Sequence, residues 1–291
     1  MNGIDSTSAT NGLHIPKQRP FLICQEHKAL LAIVQRLSVR GRNSNVLIHG
    51  LAGCGKSEMA TQFAATNNRP LAVLEVGRLS ESSQIFGYMD LQNGQTCYVK
   101  GLFTEAITTP GCVVHLQELN RPESDKALNA IFSVLDDGFR SVWLDELHGY
   151  VQVAPGVTFF ATLNEGFEFI GTMPLDAALE DRFPFKITLG YLPPHCEKNL
   201  LLMRGLLDVH QASELLEMIG QLRNNGQTPV HVSTRDTMFM AELMGEGLST
   251  FLAIKTVLGT DNDKLESILL TEHLQGHEVA GIGTTEGFEL L

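Results

Sequence analysis

The chain has 291 residues, with 33 acidic side chains against 21 basic ones, a net charge of −12 and 43% hydrophobic residues. That length suits one large domain or two moderate ones with a full core, and the charge argues against a general grip on nucleic acid or anionic membrane. The five cysteines (Cys24, Cys54, Cys97, Cys112, Cys196) have no ligand-like spacing, and neither a signal segment nor about eighteen consecutive apolar residues occur, so a cytoplasmic protein with reduced thiols and no membrane span is expected.

Residues 1–19 are rich in Ser, Thr, Asn and Gly and read as a flexible arm. From Glu26 to Leu37, Leu30, Leu31, Ile33, Val34 and Leu37 recur at helical spacing. Arg40-Gly41-Arg42-Asn43 then turns into the apolar run Val46-Leu47-Ile48. Next comes G-x-x-x-x-G-K-S, spelled by Gly50, Leu51, Ala52, Gly53, Cys54, Gly55, Lys56 and Ser57, and then a helical pattern from Glu58 to Thr66. Strand, glycine-rich turn and helix is the context of a phosphate-binding P-loop. The glycines let backbone N–H groups curl around a phosphate chain, and the helix N-terminus adds unpaired donors. Lys56 would reach the β- and γ-phosphates of a nucleoside triphosphate, and the Ser57 hydroxyl would ligate Mg²⁺.

Asn67-Asn68-Arg69-Pro70 reads as a helix stop, Leu71 to Val76 as a strand and Ser80 to Phe86 as a short helix. Asp90 to Lys100 carries a hairpin signal around Asn93-Gly94. Gly111 to Glu118 is a third strand, and Pro122 opens a helix striped by Leu128, Ile131, Phe132 and Leu135. A second hairpin is expected over 142–153, a fourth strand over 157–163, a short helix over 175–181 and a fifth strand over 185–189. Beyond Pro193-Pro194 only helical patterns remain, at 196–207, 212–223, about 233–257 and 262–274. The expected fold class is α/β: a parallel five-stranded P-loop NTPase sheet flanked by helices, followed by a small all-helical lid. The domains divide as an arm over 1–19, an α/β domain over 20–192 with hairpin inserts near 87–101 and 141–153, a lid over 193–275 and a flexible tail over 276–291.

Hydrolysis needs an acid beside a water. The strand Cys112-Val113-Val114-His115-Leu116-Gln117-Glu118 supplies Glu118, but Gln117 stands where an Asp usually holds a Mg²⁺-bound water. Asp145-Glu146 looks closer to that pattern. It comes too soon after Gly138 for a parallel crossover, however, and reads as an exposed acidic pair in a hairpin. Asn164 either orients a water or simply starts the turn Asn164-Glu165-Gly166. Arg182 ends a short helix, where a cation commonly faces solvent. Arg235 opens a helix, an electrostatically misplaced cation that hints at an anionic partner. His273 and His277 lack the glutamate of a zinc helix, and Gly276 interrupts them, so no metal site is expected there. Trp143 reads as hairpin packing.

Taken together, GLAGCGKS, the insert before GLFTEAI, HLQELNRPES, FFATLNEG, FIGTMPLDAALEDRF and STRDT resemble the AAA+ ATPases, specifically the MoxR-like branch with its metalloenzyme-activating CbbQ/NorQ-type relatives. The resemblance runs from about Pro20 to Gly259. It implies Asn164 as sensor 1, Arg182 as an arginine finger on a neighbour's ATP and Arg235 as sensor 2. It also implies a homo-oligomeric ring, usually a hexamer, acting as a chaperone-like remodeller of a client protein, with a partner that often carries a von Willebrand factor A domain. Gln117 departs from the family pattern and bears on Mg²⁺ affinity and turnover. Three functions compete: an ATP-driven remodeller, an ATP-gated assembly module with little hydrolysis, and a small-molecule P-loop kinase, against which the helical lid speaks.

Overall fold

A computed structural model of the chain describes residues 12–78, 85–92, 94–120, 131–163, 175–224, 230–259 and 288–291. In chain order the elements are β1 (Leu22–Cys24), α1 (Gln25–Val39), β2 (Ser44–Gly50), α2 (Lys56–Thr66), β3 (Leu71–Glu75), β4 (Gly87–Gln92), β5 (Gln95–Lys100), α3 (Leu102–Thr108), β6 (Val113–Gln117), β7 (Ser141–Leu144), β8 (Gly149–Gln152), β9 (Thr158–Thr162), α4 (Ala177–Asp181), β10 (Phe185–Leu189), α5 (Pro194–Met203), α6 (Val209–Asn224), α7 (Thr234–Gly245), α8 (Thr250–Leu258) and β11 (Phe288–Leu290). Two units emerge, one made of residues 1–18, 29–50 and 56–188 and the other of 19–28, 51–55 and 189–291.

The first unit is built on a five-stranded sheet of order β10-β2-β9-β6-β3, in which β2, β9, β6 and β3 run parallel. Parallel strands covered on both faces read as unbroken apolar runs, whereas edge strands alternate. Every residue of β9 is buried, while edge strand β3 exposes Val73 and Glu75. Successive side chains point to opposite faces. Phe160 meets Phe63 of α2 with ring centroids 5.0 Å apart, and Phe159 faces Phe103 of α3 at 6.5 Å. Two antiparallel hairpins, β4–β5 and β7–β8, interrupt this frame where the sequence places its inserts.

The strand starts are tied by Arg69, only 6% exposed. Its guanidinium donates to the carbonyls of Gly111 (2.6 Å), Cys112 (3.3 Å) and Gly156 (2.9 Å), to Thr158 Oγ1 (2.9 Å) and to Gln35 Oε1 (3.0 Å). It also lies 5.3 Å from the centroid of the Phe63 ring. Burial pulls its pKa down to about 10, so it remains a cation at neutral pH. The same seclusion pushes the Cys112 thiol up to about 12, making it an inert packing group.

In the second unit α5–α8 bury Leu201, Leu215, Ile219, Leu222, Met240 and Ile254 in one cluster. Glu197, 1% exposed, takes both arms of Arg223 at 2.7 and 3.0 Å, so its buried charge is fully paired. The sequence reads one helix over 233–257, but there are two. Gly247 sits at φ 100° between them, and the Ser249 hydroxyl accepts from the Leu252 N–H to start α8. The flexible tail expected over 276–291 is corrected at its end, because β11 pairs antiparallel with β1 and Glu289 bonds Lys28 at 2.8 Å. Three residues carry no periodicity to read, and their partner strand lies at the far end of the chain. The expected arm over 1–19 is likewise corrected in part. His14 exchanges backbone hydrogen bonds with Leu71, extending the sheet edge, and residues 1–11 lie outside the described residues. The helix read at 262–274 also lies outside them, as do most of the helix opened by Pro122 and the short helix starting at Ser80. Among the described residues no helix is long and apolar enough to cross a membrane.

Replacing Arg69 with Met takes the donor from the Gly111 carbonyl, Gln35 Oε1 and Thr158 Oγ1, each loss costing about 1–3 kcal/mol, while the Cys112 and Gly156 carbonyls keep the Thr158 N–H and the Ser38 hydroxyl. A loss of about 3–5 kcal/mol in urea unfolding, with an unchanged denaturant slope, is expected. Arg69→Lys recovers only part of it, because one ammonium cannot reproduce the planar fork.

Candidate functional site

β2 delivers the chain to the glycine-rich loop at the C-terminal edge of the sheet, where open α/β folds place ligands. Gly50, Gly53 and Gly55 adopt φ of 147°, 71° and 99°, which side-chain-bearing residues rarely tolerate. Gly53 has a second reason to be glycine. A Cβ there would lie 2.3 Å from the Ser233 hydroxyl oxygen. α2 begins at Lys56, so Lys56 and Ser57 stand in its first turn among N–H groups that no helical carbonyl can accept. The Lys56 ammonium, 7% exposed, donates to the Gly50 carbonyl at 2.8 Å and is held at the mouth of the loop.

Leu51–Gly55 pack within the second unit. There the Tyr191 hydroxyl donates to the Ala52 carbonyl at 3.1 Å, and His231 Nε2 lies 2.7 Å from the same hydroxyl. α7 is opened by a reciprocal Ser233–Asp236 capping box. The Arg235 backbone N–H, in the first turn, donates to the Gly53 carbonyl at 3.2 Å. Arg235 stands out in the sequence for its charge, yet it is its backbone that meets the loop. Its guanidinium makes no hydrogen bond or ion pair among the described residues, and is available to an anion. Sequence reasoning missed Tyr191 and His231, which stand apart from every phosphate-loop signature.

In the first unit, the ends of β6 and β9 build a second group. Gln117 is the last residue of β6, level with Glu75 of β3. Glu118 follows at φ 55°, a left-handed conformation that costs energy outside glycine and redirects the chain off the strand. Thr162 holds this bend. Its hydroxyl accepts from the Glu118 N–H at 3.4 Å, its carbonyl accepts from the Leu119 N–H at 3.1 Å, and His115 Nε2 sits 3.2 Å from the hydroxyl. Neither Thr162 nor His115 stands out in the sequence, since both are single polar residues inside apolar strands. Asn164, two residues further, lies outside the described residues. Asp145 and Glu146 form the turn between β7 and β8, away from any parallel strand end.

Arg182 follows α4 directly. It donates to the Ala178 carbonyl at 2.6 Å, lies 3.7 Å from Asp136 Oδ2 and stacks 5.4 Å from the Phe132 ring centroid. Its Nε is buried without a hydrogen-bond partner, so the guanidinium is incompletely satisfied.

The AAA domain (dynein-related subfamily) profile matches residues 45–183. BssE of Thauera aromatica, named as a candidate chaperone, is 45% identical over 277 residues and 95% of each chain. Protein NorQ of Paracoccus denitrificans is 26% identical over 215 residues, 73% of this chain and 78% of its own. Among solved structures, a point mutant of Thermotoga maritima RuvB aligns with a TM-score of 0.53 at 19% identity, covering 88% of this chain and 79% of that one. The FIGL-1 AAA domain in complex with ADP aligns at 0.50 and 13%, covering 92% and 94%. These two establish likeness of fold.

The burial of His115 sets a pH dependence. Desolvation holds its imidazole down to about 4, against an unfolded value near 6.5. Above about pH 6.5 both states are neutral and stability is flat. Between about 6.5 and 4 only the unfolded chain gains the proton, so stability falls by up to about 1.4 kcal/mol per pH unit, roughly 3 in all. His115→Gln keeps a partner for Thr162 and removes the titration. Urea midpoints at pH 7 and pH 5 should converge for that variant and stay apart for the parent.

Proposed function

The chain belongs to the AAA+ ATPases, in their MoxR-like branch, and we propose that it hydrolyses ATP in a homo-oligomeric ring, usually a hexamer in this family, to remodel or activate a client protein. The single observation that carries this reading is Glu118, turned off the end of β6 by its left-handed backbone and held there by Thr162. A module that only binds nucleotide has no physical use for a carboxylate braced at this point, whereas hydrolysis needs one to polarise water.

In this reading the N–H groups of Gly50–Gly55 cradle the phosphates, and Lys56 leaves the Gly50 carbonyl for the β- and γ-phosphate oxygens. A Mg²⁺ brought with ATP needs only one or two protein oxygens. The Ser57 hydroxyl and the half-buried Gln117 amide at the end of β6 fit that need, and among the described residues no cluster of three His, Cys, Asp or Glu offers a metal cage of its own. When bound, the ion neutralises charge building on the β- and γ-oxygens. Glu118 draws the proton of the attacking water, Asn164 orients that water, and Arg235 reads the γ-phosphate. Arg182 serves the ATP of the neighbouring subunit. Its buried, unpartnered Nε supports that role, since the contacts within its own chain leave the guanidinium incompletely bonded. The chaperone-type name of BssE supports a client, and the family resemblance supports a partner with a von Willebrand factor A domain. One observation favours a second reading, an ATP-gated assembly module: the neutral Gln117 in place of a carboxylate.

Two measurements test the reading. Gln117 forms neutral hydrogen bonds where a carboxylate would form charge-assisted ones, a difference of about 1–2 kcal/mol, or roughly tenfold to thirtyfold in Mg²⁺ affinity. Gln117→Asp should therefore lower the Mg²⁺ requirement of phosphate release and raise turnover, with Gln117→Asn as the control for side-chain length. Glu118→Gln should abolish turnover and keep ATP bound. Turnover that survives Glu118→Gln removes the role given to Glu118, and turnover absent from the parent at high Mg²⁺ rejects the hydrolytic reading in favour of the gated module.

The trans role of Arg182 has its own test. Subunits carrying Lys56→Ala, mixed with subunits carrying Arg182→Ala, should regain part of the activity that each lacks alone, because some interfaces then hold one intact P-loop and one intact arginine. An arginine finger is worth about 10³–10⁵ in rate in the best-studied GTPases, so the recovery should stand well above background. No recovery despite proven co-assembly overturns the trans assignment.

A further inference from the structure

Both hairpins are surface additions to the sheet, and a cavity of about 210 Å³ lies between the start of β4 and the turn end of β7–β8. Its floor is apolar, made by Phe86 just before β4 and by Val142 and Leu144 of β7, all buried. Its rim is Ser133, Trp143, Asp145 and Glu146. The rim of such a cavity would ordinarily be closed by the protein's own side chains, but here Trp143 is 48% exposed. The indole is not loose. Its Nε1–H donates to Asp145 Oδ1 at 2.8 Å, which fixes the ring face beside two carboxylates. Burial raises the pKa of the Tyr98 hydroxyl of β5, and the charge of Glu146 adds to that rise. Among the described residues no basic side chain pairs with Asp145 or Glu146.

From the cavity an aromatic strip runs outward along the hairpin. Trp143 stands edge-on to Tyr150, with centroids 5.1 Å apart, and Tyr150 edge-on to Phe139 at 5.4 Å. Tyr150 is 60% and Phe139 57% exposed, and Leu147 at the turn is 44% exposed. Three aromatic rings stacked in water gain less than they would in a core, and a contiguous exposed apolar strip marks an interaction surface.

Size and charge together choose the occupant. Drug-sized ligands fill about 300–1,000 Å³, so this cavity takes a single side chain. An aromatic face next to two carboxylates that no described basic side chain pairs attracts a cation, which the ring quadrupole and the carboxylate charges both favour. The aromatic strip beside it suits apolar neighbours of that cation. We propose that the cavity between the start of β4 and the β7–β8 turn binds a lysine or arginine side chain, flanked by apolar residues, of an extended client segment. The proposal rests on the client-remodelling reading above and gives that client its chemistry. A chain of net charge −12 steers such basic segments towards itself and repels acidic ones.

Trp143 is the only tryptophan of the chain, so its emission reports the site directly. The test uses the full chain and two unlabelled peptides without aromatic residues, one with a single lysine between leucines and one with glutamate in its place. The lysine peptide should shift or quench Trp143 emission saturably and bind at least about tenfold tighter than the glutamate peptide. The double variant Asp145→Asn, Glu146→Gln should lose about tenfold or more of that affinity while its ATP binding and far-UV spectrum match the parent. Raised salt should weaken the lysine peptide and not the glutamate peptide, whose repulsion it screens. Equal binding of the two peptides, no change in emission, or full affinity in the double variant each overturns the proposal. So does a change of oligomeric state on Trp143→Ala without peptide, which would make a second copy of this chain the occupant. Selective lysine binding with no ATP turnover in any condition would leave this site standing and remove the hydrolytic reading instead.

Discussion

The fold depends on a buried cation that has no counter-charge among its hydrogen-bond partners. Arg69 is satisfied by main-chain carbonyls, one threonine hydroxyl and one glutamine amide rather than by a carboxylate. Two of its acceptors precede β6, and two lie at or just before the start of β9, while Arg69 itself stands two residues ahead of β3. One side chain therefore fixes where three parallel strands begin. Because parallel neighbours advance in step, fixing the starts also fixes the ends, and Glu75, Gln117 and Thr162 come level at the opposite edge. The chemistry proposed for Glu118 is thus conditioned by a guanidinium at the other end of the sheet. A carboxylate in that fan would have fixed the charge but not the register, since it could reach only one strand at a time.

How much of this was legible in the chain depends on whether the signal is local. The glycine-rich loop is legible because three backbone positions need φ values that only glycine supplies cheaply, and their spacing to Lys56 and Ser57 is fixed by the turn. The two hairpins and the buried strands are legible for the same reason, through period and turn residues. Arg69 is not: in Asn67-Asn68-Arg69-Pro70 it looks like part of a helix stop, and its acceptors come from separate segments of the chain. β11 is not legible either, because its pairing with β1 spans nearly the whole chain. The split between α7 and α8 lies in between. Gly247 and Ser249 are a stop and a cap in plain view, but the apolar period runs across them without a change of phase.

Charge placement separates the rest of the site from what pattern alone suggests. Asp145-Glu146 has the better acidic signature and the wrong place, an exposed turn between two antiparallel strands. Glu118 has the weaker signature and a backbone conformation that costs energy to hold. Strain of that kind persists only where surrounding contacts over-determine it, and Thr162 supplies them through both its hydroxyl and its carbonyl. His115 completes the bracket as a neutral imidazole, since burial excludes its charged form. A positive charge there would sit beside the proposed catalytic carboxylate and lower its basicity, so the neutrality of His115 serves chemistry as well as folding.

The loop that would hold phosphate is constrained from its carbonyl side as tightly as from its glycines. Ala52 accepts from the Tyr191 hydroxyl and Gly53 from the first turn of α7, while Ser233 leaves no room for a side chain at Gly53. Phe21 packs on Gly55 closely enough that an added Cβ would meet its ring at 3.2 Å. Each of these contacts uses a carbonyl or a Cα face, and none uses an N–H group that phosphate would need. The turn therefore belongs to the helical unit through its carbonyls and to the sheet through its covalent flanks, Gly50 and Lys56. The peptide planes whose carbonyls Tyr191 and α7 hold carry the Gly53 and Cys54 N–H groups on their opposite edge.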